Sequence, residues 1–70
     1  MSPLSQIIYA LRARRYELQL SQKILARKMN TSRRVITSWE CGERTPKLER
    51  LLEWANVLGL QLELSPKSTP

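Results

Sequence analysis

The chain reads as an all-α domain: four short helices forming one bundle, followed by a brief C-terminal β-strand. Three observations predict it. Apolar residues recur at spacings of three and four through four segments, the period of a helix with one buried face. Serine, asparagine, glycine and proline stand between those segments, where helices start and stop. After the last segment, Leu60-Gln61-Leu62-Glu63-Leu64 alternates strictly, which is the period of a strand.

Each element has its own signals. Ser2-Pro3 is an N-cap followed by proline at the first helical position, where the missing N–H costs nothing. Leu4, Ile8, Leu11, Arg15 and Leu18, with Ile7 beside them, then mark a helix to about Tyr16. Ser21 caps a short second helix carrying Ile24, Leu25, Ala26 and Met29. Asn30-Thr31-Ser32 breaks it, because asparagine tolerates the left-handed backbone of a tight turn. Ser32 caps a third helix, with Ile36, Trp39 and Glu40 on one face and Gly42 just past its end. Thr45-Pro46 opens a fourth, whose buried stripe reads Leu48, Leu51, Leu52, Ala55 and Leu58, and Gly59 stops it. Residues 1–64 form the domain, and 65–70, polar with two prolines, read as a flexible tail.

Composition narrows the function. Seventy residues make one domain with a modest core, to which dimerisation would add stability. The net charge is +6, but residues 1–34 carry +7 and residues 35–70 carry −1. A basic half joined to a neutral half implies a surface facing a polyanion. The chain has no His and no Asp, and its glutamates lie among lysines and arginines at helical spacing, so it is not expected to be an enzyme. One cysteine and no histidine point to neither a disulfide nor a metal, and with Gly42 and Gly59 the only glycines there is no phosphate loop; no cofactor is expected. No apolar run approaches membrane length, no secretory layout opens the chain, and a cytoplasmic location fits the cysteine usage.

Two short helices joined by a three-residue turn form a helix-turn-helix, in which the second helix enters the DNA major groove by its N-terminal part. Ile36 and Trp39 must face the core, which turns Arg33, Arg34, Thr37 and Ser38 outward as the candidates for reading bases. Val35 lies at the edge, either on a thymine methyl or partly in the core. Ser21, Gln22, Thr31, Ser32, Arg44 and Lys47 stand at helix ends that could meet phosphates, Gln22 foremost. Trp54 fits either the core of helix four or a dimer surface. Glu40 on the inward face and Arg15 in the inward stripe of helix one are expected to pair, tying helix one to the reading helix.

From Leu11 to Leu60 the sequence resembles the Cro-type (XRE) helix-turn-helix family of phage repressors and bacterial regulators. Arg15, Leu20-Ser21-Gln22, Leu25-Ala26, Thr31-Ser32, Ile36, Trp39-Glu40, Gly42, Pro46 and Leu58-Gly59 carry the resemblance, in order and at the family's spacing. It implies a lambda-repressor-like bundle, a homodimer on double-stranded operator DNA, base contacts from Arg33, Arg34, Thr37 and Ser38, phosphate contact by Gln22, and the Arg15–Glu40 pair. The sequence departs at Gln19 and Asn30, where the family often has glycine, and at Lys23-Ile24, where an acidic pair is usual. It also lacks the family's fifth helix. The ending that takes its place resembles HipB-like antitoxins, whose C-terminal strand pairs across the dimer. The leading expectation is therefore a dimeric, sequence-specific repressor, with an antitoxin that also binds a toxin protein as the alternative. Leu60, Leu62 and Leu64 would form the dimer strand, since a lone strand needs a partner; the other reading is an extended tail lying on its own bundle.

Overall fold

In the computed structural model, which describes residues 2–64 and Pro66, the chain folds into four helices. They are α1 (Pro3–Glu17), α2 (Gln22–Lys28), α3 (Arg33–Glu40) and α4 (Leu48–Val57). Three start on serine caps: Ser2 accepts from the Ser5 N–H at 3.1 Å, Ser21 from Ile24 at 3.0 Å and Ser32 from Val35 at 3.3 Å. The fourth does not. α4 begins after Lys47, which makes no side-chain cap, and Pro46 is buried ahead of the helix rather than opening it.

All four helices end alike. A left-handed residue follows each C-cap: Gln19 (φ 57°), Asn30 (φ 53°), Gly42 (φ 83°) and Gly59 (φ 73°). The next residue then donates its N–H back into the last turn: Leu20 to Arg15 at 3.1 Å, Thr31 to Ala26 at 2.9 Å, Glu43 to Ser38 at 2.9 Å and Leu60 to Ala55 at 2.8 Å. Gln19 and Asn30 thus adopt the conformation for which glycine is the easy choice, and the loop shape survives the substitution. Leu20 and Leu60, just past two of these ends, fold back against the core.

The core is built from Leu11, Leu25, Ala26, Met29, Ile36, Trp39, Leu51, Trp54, Ala55 and Leu58. Each large aliphatic side chain fully buried here stabilises the fold by roughly 1.5–3 kcal/mol. Trp39 and Trp54 meet with ring centroids 5.5 Å apart. Trp54 is fully buried, which places it in the core rather than on a surface, and its indole N–H has no hydrogen-bond partner among the described residues. The inward stripe of α4 is Leu51, Trp54, Ala55 and Leu58; Leu48 and Leu52, expected in it, are exposed. α3 packs chiefly on α2 and also on α1.

The C-terminal strand is a correction. Among the described residues there is no β-strand, and the fold is a four-helix all-α bundle. Leu60 is half-buried and closes the end of α4, while Gln61, Leu62, Glu63 and Leu64 are exposed. Alternation states only which side each residue would take if the backbone were extended and paired. Without a second strand the N–H and C=O groups have no ladder, and a stretch packed by one leucine has nothing else to hold it. The likeness of this ending to a strand-pairing antitoxin tail falls with the strand. The tail expected at 65–70 lies, apart from Pro66, outside the described residues.

Candidate nucleic-acid interface

The α2–turn–α3 unit is held from beneath by an ion pair. Arg15 Nε donates to Glu40 Oε2 at 2.7 Å and Arg15 Nη2 to Glu40 Oε1 at 2.9 Å, with both side chains buried. Arg15 Nη1 also donates to the Leu20 carbonyl at 2.8 Å. One guanidinium thereby joins α1, the α1–α2 loop and the end of α3. Its pKa is held above the ordinary arginine value, first by the hydrogen bond to Glu40, which outweighs burial. The same guanidinium lies over the Tyr16 ring, 4.5 Å from its centroid. The neighbouring cations, Arg12 first and then Arg15, pull the Tyr16 phenol below its usual value.

Glu40 extends the network outward. Gln22 Nε2 donates to Glu40 Oε1 at 3.0 Å, and Thr37 Oγ1 donates to Gln22 Oε1 at 2.8 Å. The amide of Gln22, expected at a phosphate, is thus turned onto α3, and the residue is half-buried. Arg12, Gln22, Thr37, Glu40 and Cys41 line a shallow depression where this network reaches the surface.

The outward face of α3 carries Arg33, Arg34 and Thr37, all exposed. Ser38 is not among them. It is 5% exposed, and its hydroxyl donates to the Val35 carbonyl at 2.7 Å, so the expected outward orientation is corrected. Around the helix Ser38 stands beside half-buried Val35 and about 100° from Trp39, and the loop that follows α3 returns its Glu43 and Arg44 N–H groups to the Ser38 carbonyl at 2.9 and 3.1 Å. Val35 is half-buried against the core. Of the helix-end candidates, Ser21, Ser32, Arg44 and Lys47 are exposed, and Thr31 is half-buried in the turn. The structure does not gather Leu60, Leu62 and Leu64 into one packed face.

Two arginines counted only as charge turn out to hold helix ends. Arg14 Nε donates to the Leu58 carbonyl at the end of α4 at 3.0 Å, and Arg50 Nη1 donates to the Met29 carbonyl at the end of α2 at 3.1 Å. No sequence signal could place them, since the acceptors are backbone carbonyls, which every residue carries and no side chain marks. In the basic first half Arg12, Lys23, Arg27, Lys28, Arg33 and Arg34 remain exposed and available to a polyanion.

These features define a helix-turn-helix DNA-binding module: a capped helix with exposed arginines, braced on a second helix in a chain whose first half is basic. The Helix-turn-helix family model matches residues 11–64, and the chain belongs to that family, of the XRE/Cro type. Members are non-catalytic DNA-binding modules with regulatory roles, and this chain is one. No curated protein and no solved structure matches it. Among the described residues no three His, Cys or acidic side chains are grouped to hold a metal, and no helix is long and apolar enough to cross a membrane.

Proposed function

We propose that this chain is a sequence-specific transcriptional repressor that binds a palindromic operator as a homodimer. The observation that carries the reading is the first two turns of α3, where Arg33, Arg34 and Thr37 stand exposed on a helix anchored by the buried Arg15–Glu40 pair. Arginine can take guanine O6 and N7 in the major groove, and the threonine hydroxyl and methyl can meet a base edge. Ser21, Ser32, Arg44 and Lys47 would set the register on phosphates. Two copies would meet through the neutral half of the chain, because the basic halves repel each other. Leu48 and Leu52, exposed one turn apart on α4, offer apolar surface there. Dimerisation on a two-fold site would give the half-site spacing of one helical turn.

Selection of bound duplexes from a random pool tests the reading, together with sedimentation of the free and DNA-bound protein. A two-fold-symmetric motif and a two-to-one complex are expected. Enrichment of no motif would overturn sequence-specific repression. The antitoxin alternative, with a toxin protein as second partner, drew its support from the C-terminal strand, and no other observation favours it.

A further inference from the structure

The hydrogen-bond network that ends at Thr37 has a forced polarity. It starts at Glu40, whose carboxylate receives two N–H groups from the Arg15 guanidinium and offers only acceptors to anything else. Gln22 therefore has to turn its NH₂ toward Glu40 Oε1, 3.0 Å away, because the flipped amide would set two acceptor oxygens against each other. That leaves Gln22 Oε1 facing Thr37 Oγ1 at 2.8 Å. A carbonyl oxygen only accepts, so the Thr37 hydroxyl spends its one proton there. What Thr37 has left to present from the exposed face of α3 is lone pairs and a methyl group.

We infer that the Arg15–Glu40–Gln22 relay makes Thr37 an acceptor-only reader, which recognises the exocyclic amino group of one base pair and not its keto oxygen. This rests on the reading of Thr37 as a base contact. Every base pair shows one amino group, on adenine N6 or cytosine N4, and one keto oxygen, on thymine O4 or guanine O6, in the major groove. A free threonine hydroxyl serves either. A hydroxyl whose proton is committed serves only the amino side. Gln22 is then a positioning residue that acts on specificity through Thr37, and Arg15 and Glu40 set its orientation.

The test has two stages. Selection from a random duplex pool with the wild type and with Thr37→Val identifies the base pair whose preference depends on the hydroxyl. Base analogues at that pair then delete one group at a time. Purine for adenine or 2-pyrimidinone for cytosine removes the amino group; 5-methyl-2-pyrimidinone for thymine or 2-aminopurine for guanine removes the keto oxygen. Loss of the amino group should weaken wild-type binding about five- to tenfold more than Thr37→Val binding, the worth of one hydrogen bond. Loss of the keto oxygen should affect the two proteins equally. In Gln22→Met the hydroxyl is released and can donate as well as accept, so the strict preference for the amino side should relax and the base pair with its keto oxygen in that place should be tolerated. If Thr37→Val alters no base pair, the base-reading role fails and the inference falls with it. If the keto oxygen is the sensitive group, the inference is overturned while base reading stands. An equally strict preference for the amino side in Gln22→Met likewise overturns the relay. The analogue series on the wild type decides the polarity even if Gln22→Met is poorly folded.

Discussion

At the residue scale the decisive interaction is Arg15 with Glu40. A buried ion pair is weak evidence of net stability, but removal of one partner strands a charge. Arg15→Met or Glu40→Gln should each cost about 3–5 kcal/mol in denaturant unfolding. The corresponding double variant should cost much less than the sum, and a coupling near zero would contradict the interaction. On the exposed side, Arg33→Ala and Arg34→Ala should each lose about 1–3 kcal/mol on the selected site and relax one position. Equal losses on scrambled DNA would show phosphate contact instead of reading. Ser38 provides the contrast: with its hydroxyl turned back onto Val35, Ser38→Ala should leave the selected motif unchanged.

At the element scale the helix ends govern how well α2 and α3 are presented. Gln19 and Asn30 hold left-handed conformations that cost an ordinary residue roughly 1–2 kcal/mol, asparagine less. Glycine gives back part of that gain through unfolded-chain entropy. Gln19→Gly should therefore raise stability by roughly 0.5–1 kcal/mol, seen as a melting temperature several degrees higher. A fall on that substitution would mean the Gln19 side chain contributes more than its backbone costs. At the other end of the motif, Ser32→Ala removes the cap that fixes where α3 starts. It should cost about 1 kcal/mol of stability. Measured on the selected operator and on scrambled DNA, the affinity loss should be larger on the operator, because fraying of the first turn displaces Arg33 and Arg34.

At the scale of the whole molecule, only part of the positive charge is free at the surface. Arg14 and Arg15 are spent on internal carbonyls and Glu40, so the polyanion-facing set is smaller than the +7 of the first 34 residues. Phosphate neutralisation releases counterions, and each contact steepens the salt dependence by roughly 0.9 in log K against log salt. With about four contacts per protomer, and so about eight for a homodimer, affinity for nonspecific duplex should fall on the order of ten-thousandfold between 50 and 200 mM salt. A nearly flat dependence in a titration series would remove electrostatics as the basis of binding. The exposed Leu64 marks the opposite case: Leu64→Ser should shift unfolding stability by no more than about 0.5 kcal/mol, since none of the described residues buries it.

The four helices were legible because their causes are local. Spacing of apolar residues, serine caps and left-handed stops act within a turn or two, so Ser21, Ser32, Asn30, Gly42 and Gly59 could be placed without knowledge of what they touch. The Arg15–Glu40 contact could be expected for a similar reason: each stood as a charge within an inward stripe, and two buried charges require each other. Tertiary structure decided the rest. It buried Ser38, whose hydroxyl turns onto the Val35 carbonyl and whose own carbonyl receives the N–H groups of the loop after α3, neither of which periodicity within α3 reveals. It gave Trp54 the core position and left Leu48 and Leu52 in solvent, because the face of α4 that meets α1 and α3 is narrower than its run of leucines. It turned Gln22 onto Glu40 and Thr37 across the helix pair. It also withheld a strand from Leu60–Leu64, where alternation was present but the pairing partner was not. Local pattern specifies what a segment can become; whether a given side chain is buried, bonded or free depends on what the rest of the chain brings against it.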